Sequence, residues 1–188
     1  MFRLRQPDHE HLAHFLARER NAPLTYEEVG ATFATELPDG YHHVRERVVL
    51  GVGDDIWKRA CDGIRAWAAH RGAGMTVVPS DASITEGTTV AVLTSLGPLR
   101  LVTACRIVQV VDDAERFGFA YGTLPSHPEE GEERFVVTRD LDDGMVGFEV
   151  VAFSRPHDLL TKLGGPVPRA IQTRATARYL EGMRAFVA

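Results

Sequence analysis

The chain has 188 residues, 44% of them hydrophobic and 25% charged, proportions that suit one globular domain rather than a disordered segment. A net charge of −5 with neutral histidines excludes a global basic field for nucleic acid or acidic membranes, so neither is expected as a partner. No apolar run approaches the ~20 residues needed to span a bilayer. The basic N-terminus "MFRLRQPDHEHLAHF" also lacks the continuous apolar stretch of a secretory signal. Cys61 and Cys105 fall in separate predicted elements and neither belongs to a C-x-x-C pair. A reduced, cytoplasmic protein is therefore expected, with no disulfide and no cofactor.

In chain order, Asp8 is placed to cap a first helix, in which Leu12, Phe15 and Leu16 recur at helical spacing. Pro23 closes it, and residues 24–41 mix β-branched residues, aromatics, glycine and proline without a period. Residues 1–40 thus read as an N-terminal extension packed on a core of residues 41–188. The core opens with a strand in which Val44, Val48 and Leu50 stand against Arg45 and Arg47, ending at Gly51. "GVGDD" turns the chain, and Asp54 or Asp55 is expected to cap a helix running to about Arg71. Its apolar stripe holds Ile56, Trp57, Ala60, Cys61, Ile64, Trp67 and Ala68.

Six strand-like runs follow, at residues 75–79, 88–93, 99–111, 116–123, 134–139 and 145–153. Their separators are short and polar, which joins neighbouring antiparallel strands, because a parallel crossover needs about a dozen residues or more. Beyond them Leu159, Leu160 and Leu163 suggest one short turn, broken by Gly164 and Gly165, with Pro166 or Pro168 opening a last helix. Val167, Ile171, Ala175, Leu180, Met183 and Phe186 keep its period. The expected fold class is α+β: a curved antiparallel sheet of about seven strands wrapped around a long C-terminal helix, with room for a cavity between them.

That element order resembles the helix-grip fold of the START, polyketide-cyclase (SRPBCC) and Bet v allergen superfamily, over roughly residues 41–187. The resemblance implies a hydrophobic ligand held between sheet and helix. A more specific likeness lies in "YGTLPSHPEEGEERF" (residues 121–135), "FEVVAFSRP" (148–156) and "LGGPVPRAIQ" (163–172). Together these resemble an uncharacterised family, the domain of unknown function DUF1990. It carries no established reaction.

The candidate sites divide by face. Phe117, Phe119, Tyr121 and Thr123 share one face of a strand, and Gly118, Ala120 and Gly122 the other, where small residues permit close backbone approach by the helix or by a bend in the sheet. His127 and the glutamates 129, 130, 132 and 133 follow; the glutamates read as a solvated hairpin tip. Glu149 sits among apolar residues, where it either pairs, with Arg106 or Arg139, or faces the cavity with a raised pKa. Arg155 is placed to grip an anion or to pair with a loop glutamate such as Glu132 or Glu133. His9, His11 and His14 have no third ligand at a zinc spacing, so no metal is expected. "GVGDD" lacks the third glycine of a dinucleotide loop, and its acidic residues would repel phosphate.

The expected function is binding of a small, largely apolar ligand between sheet and C-terminal helix. Thr103, Phe119, Tyr121, Thr123, Phe148, Arg155 and Met183 are the candidate lining. The alternative is an enzyme on the same scaffold, of cyclase, dehydratase or hydrolase type, with Tyr121, His127 and Glu149 as acid–base groups. A third reading is a non-catalytic partner-binding domain that uses the extension.

Overall fold

The computed structural model describes residues 2–3, 8–97, 99–157 and 167–188. The short β1 (Phe2–Arg3) is followed by α1 (His9–Glu19), β2 (His42–Val52), α2 (Asp54–Arg65) and α3 (Ala68–Gly72). Then come β3 (Thr76–Val78), β4 (Thr89–Leu96), β5 (Leu99–Asp112), β6 (Arg116–Thr123), β7 (Glu129–Arg139) and β8 (Met145–Pro156). The chain ends in α4 (Val167–Val187). The predicted turn at Leu159, Leu160 and Leu163 and the break at Gly164 and Gly165 lie outside the described residues.

β3 to β8 form an antiparallel meander, and β2 joins at its far edge, giving the order β2-β8-β7-β6-β5-β4-β3 with β1 against β5. Two of the tight connections, β5–β6 and β7–β8, are built from aspartates. Asp113 accepts from the backbone N–H groups of Glu115 and Arg116, and Asp140 from that of Asp142. Such local bonds hold a turn without help from the rest of the fold.

Strand alternation sorts the side chains onto two faces. Val90, Val92, Cys105, Ile107, Phe117, Phe119, Tyr121, Phe135, Val137, Phe148 and Val150 form the inner face, under α2, α3 and α4. Phe119, Phe135 and Phe148 pack there with Trp67 and Met183, all buried. α3 and α4 cross with no side chain between them: a Cβ on Gly72 would lie 2.2 Å from the Cα of Gly182. The glycine pair lets the C-terminal helix settle onto the inner layer.

The outer face carries the N-terminal chain. Leu12, Phe15 and Leu16 of α1 cover Ala91, Leu93, Val102, Ala104 and Leu124. Asp8 caps α1 as expected, accepting from the N–H of His11 at 2.9 Å. Arg106 closes its other end by donating to the carbonyls of Glu19, Arg20 and Ala22 at 3.1, 2.9 and 2.8 Å. These are orphan carbonyls of a helix C-terminus and its exit. Farther along, Tyr26 fills the room that Gly122 leaves. A Cβ there would lie 2.2 Å from the Tyr26 hydroxyl oxygen. At Gly122 the close approach is made by this side chain, not by the backbone of the helix or by a bend in the sheet as expected.

Three local expectations need correction. The helix predicted to run to Arg71 breaks at Trp67, which adopts φ 55°. A left-handed tryptophan is strained, but its ring is 1% exposed and its indole N–H donates to Ala82 O at 3.0 Å, which holds the break in place. Gly53, not an aspartate side chain, stands at the N-cap of α2, and Asp54 pairs with Arg139 at 2.9 Å. Finally β7 starts at Glu129, not at Arg134, so the glutamate run is strand rather than hairpin tip.

Candidate functional site

The early start of β7 sets the site. Counting back from Phe135 and Val137, alternation brings Glu133 and Glu129 to the inner face and sends Glu132 and Glu130 to the outer one. In the β6–β7 register Glu133 stands opposite Tyr121. The Tyr121 hydroxyl donates to Glu133 Oε2 at 2.9 Å, and His70 Nε2 lies 3.1 Å from the same hydroxyl oxygen. A phenol has one proton, so with that proton on Glu133 the imidazole N–H is the donor to Tyr121. The order of donation is thus His70 to Tyr121 to Glu133.

The break at Trp67 turns His70 into this cluster. It is 1% exposed, and burial lowers its pKa to about 3, so it stays neutral. Its ring packs against Phe135 and Tyr179, with centroids 4.7 and 5.1 Å away. Tyr179, from α4, points its hydroxyl at the Met75 sulfur, 3.4 Å away. Burial, and next the charge of Glu133, raise the pKa values of Tyr121 and Tyr179 well above the usual phenol range.

Glu133 is the exception in this neutral layer. It is half-buried, and its pKa is raised to about 7, chiefly by burial and further by Glu129, against the lowering effect of the Tyr121 hydrogen bond. Its Oε1 has no hydrogen bond to any described residue. Glu129, on the same face, is also pushed upward by burial and interacts with Ser154. Next to the cluster, Gly63, Ile64, Trp67, His70, Phe119, Phe135 and Met183 surround a void of about 10 Å³, about the size of one water.

Glu132 does the opposite on the outer face. It is 2% exposed and accepts from Tyr26 O–H at 2.8 Å, Gly30 N–H at 2.7 Å, Thr32 N–H at 3.0 Å and the Thr32 hydroxyl. A buried carboxylate needs such a set of donors. It fastens residues 26–32 to the sheet, and burial followed by the Glu132 charge drives the Tyr26 pKa far upward.

Of the predicted acid–base trio, only Tyr121 belongs to the inner cluster. Glu149 lies on the outer face and pairs with Arg134, and at 3.9 Å with Arg45, not with Arg106 or Arg139. His127 has Nδ1 3.1 Å from the N and 2.9 Å from the O of Glu129, and burial lowers its pKa to about 4. No contact among the described residues joins it to Tyr121.

The predicted lining residues divide similarly. Phe119, Phe148 and Met183 are packed in the inner layer. The Thr103 hydroxyl donates to Val92 O at 3.3 Å. Thr123 Oγ1 is shared among Gly131 N, Gly131 O and the Thr25 hydroxyl at the strand end. Arg155 pairs with Glu130 and stacks over Tyr41 with its guanidinium carbon 4.3 Å from the ring centroid, so it ties to a glutamate of the run, now on β7, but not to Glu132 or Glu133. Among the described residues no three His, Cys, Asp or Glu side chains group as metal ligands.

Residues 25–182 match the family described as "Domain of unknown function (DUF1990)". The chain belongs to the DUF1990 family. A UPF0548 protein of Deinococcus radiodurans is 34% identical to it over 193 residues, covering 95% of each chain. Among solved structures, hypothetical protein jhp0584 from Helicobacter pylori superposes with a TM-score of 0.57 at 12% identity, over 78% of this chain and 88% of its own. The ZhuI aromatase/cyclase from Streptomyces sp. R1128 gives 0.51 at 13% identity, over 78% and 93%. At such identities the likeness shows the fold, and the fold is the helix-grip fold expected from element order.

For this DUF1990 chain, sequence reasoning missed His70, Tyr179 and the separation of Glu133 from its neighbours. The signal for Glu133 was present: the phase of Phe135 and Val137 continues back through it. His70 had no such signal, because the helical period running through Trp67 predicts a different face.

Proposed function

We propose that this DUF1990 protein binds a small, largely apolar molecule on the inner face of the sheet, beside the C-terminal helix, with its polar end at Glu133 and Tyr121. The observation that carries this reading is the state of Glu133. It is a half-buried carboxylate on an aromatic face, with one oxygen bonded to Tyr121 and the other without a partner among the described residues. Strongly shifted titratable groups mark binding and catalytic sites, and Oε1 is open to a ligand, because the one sealed side-chain atom without a partner among the described residues is Arg134 Nε. The void beside the cluster has room for about one water, so the apolar body of the ligand would have to displace inner-layer side chains, where Thr103 and Tyr121 belong to neighbouring strands and Tyr179 comes from the helix.

Native mass spectrometry of the protein purified from its own host tests this. A retained small molecule, lost in a Glu133→Gln, Tyr121→Phe double variant that still folds, is the expected result. Repeated recovery of the bare chain from folded, gently handled protein would sink the reading.

A catalytic reading draws on the same carboxylate. A pKa of about 7 equips Glu133 to exchange a proton with a bound molecule near neutral pH, with Tyr121 holding the acceptor side. Once a retained molecule is known, conversion that falls in Glu133→Gln while binding persists would establish this activity; unchanged conversion would remove it.

A further inference from the structure

We propose that the inner-face site selects a ligand whose polar end donates hydrogen bonds, a hydroxyl or a protonated amine, and rejects a carboxylate. This deepens the binding reading above and rests on it. Above its pKa of about 7 the Glu133 side chain is ionised and offers acceptors only. Of the two oxygens of Glu133, Oε2 already takes the Tyr121 proton, while Oε1 has no bond to a described residue. A donor completes that set and a second acceptor does not.

The charges around the site agree. The charged group that acts on Glu133 is Glu129, and neither arginine nor lysine is among the groups that shift it. The arginines of the neighbouring strands are held elsewhere. Arg134 pairs with Glu149, Arg155 with Glu130, and Arg106 donates to the carbonyls that end α1. A carboxylate ligand at Oε1 would meet the Glu133 carboxylate with Glu129 beside it, and no cation is among the groups that shift Glu133. The surroundings are the rings of Tyr121, Phe135 and Tyr179, packed at centroid distances of 5.1–5.4 Å. Repulsion in such a setting is less screened than in water. A hydroxyl gains one hydrogen bond there, and an ammonium adds charge pairing and the nearby ring faces.

Isothermal titration of the full chain at about pH 8.5, where Glu133 is ionised, with naphthylmethylamine, naphthylmethanol and naphthoate tests the selection, since the three share one apolar body. The amine and the alcohol are expected to bind at least ~10-fold more tightly than naphthoate. Glu133→Gln should erase most of the advantage of the amine. Naphthoate binding as tightly as the other two overturns the selectivity and leaves the binding reading standing. A ranking unchanged in Glu133→Gln removes Glu133 as the selector. Binding of none of the three removes the present inference, and the native mass spectrum then decides the binding reading separately.

Discussion

Glu132 and Glu133 are neighbours in one strand, and their surroundings differ almost completely. The outer carboxylate accepts four hydrogen bonds from residues 26–32, whereas the inner one accepts a single bond from Tyr121. Two identical side chains are thus divided by the period of two into a fastening and a candidate site. A carboxylate with its full complement of donors is a structural part, because any ligand would have to displace bonds already made. One that is desolvated and short of donors destabilises the fold, and that cost is commonly found where function requires it.

The contrast is broken most severely by Glu132→Ala. The substitution leaves the N–H groups of Gly30 and Thr32 without their acceptor beneath a packed segment, and it removes the partner of the Tyr26 hydroxyl. Orphaned buried donors and a lost charge-assisted set together cost about 3–5 kcal/mol. Urea denaturation measures the loss. Hydrogen exchange should show the amides of Gly30 and Thr32 losing protection first. A variant as stable as the parent would mean that the outer carboxylate is not a fastening.

Glu133→Gln should have the opposite sign. The side chain ionises near 4.5 in the unfolded chain and near 7 in the folded one, so between those values the folded state holds more protons. Stability therefore falls as pH rises through that window, by about 2–3 kcal/mol in all. Glutamine keeps an acceptor for Tyr121 and cannot ionise. The variant should match the parent at about pH 4.5 and exceed it at about pH 8 by that amount. Denaturation curves at the two pH values check the prediction, and a variant less stable at the higher pH would contradict it.

The sequence made the fold far more legible than the site, for a physical reason. Strand phase is read from the contrast of apolar and polar residues, and most strands show it: Val44 and Val48 against Arg45 and Arg47, or Phe117 and Phe119 against Gly118. Four glutamates in five residues erase that contrast. The pattern over residues 129–139 therefore predicts a loop followed by a short strand, whereas the structure pairs Glu129 with Pro156 and Glu133 with Ala152 on β8. His70 was hidden by backbone geometry. Its inward position depends on a left-handed tryptophan, a conformation that no local residue preference announces. For Glu149 and Arg155 pairing is one of two readings the sequence leaves open. Their partners follow from register across strands, which one-dimensional spacing does not contain.

The smallest effect tests how the inner carboxylate is held. Tyr121→Phe removes the described hydrogen bond to Glu133 and the described partner of His70 Nε2. The bond favours the ionised carboxylate, so its loss should move the Glu133 pKa above about 7. The cost in stability follows the same sign. It should be about 1 kcal/mol at about pH 8, where a charge-assisted bond is lost, and less at about pH 5, where the carboxyl is protonated in both proteins. Carbon-detected NMR of the glutamate carboxyls resolves the titration. An unshifted Glu133 would mean that burial and Glu129 alone set its proton affinity, and Tyr121 would then be a wall of the site rather than part of its hydrogen-bonded chain.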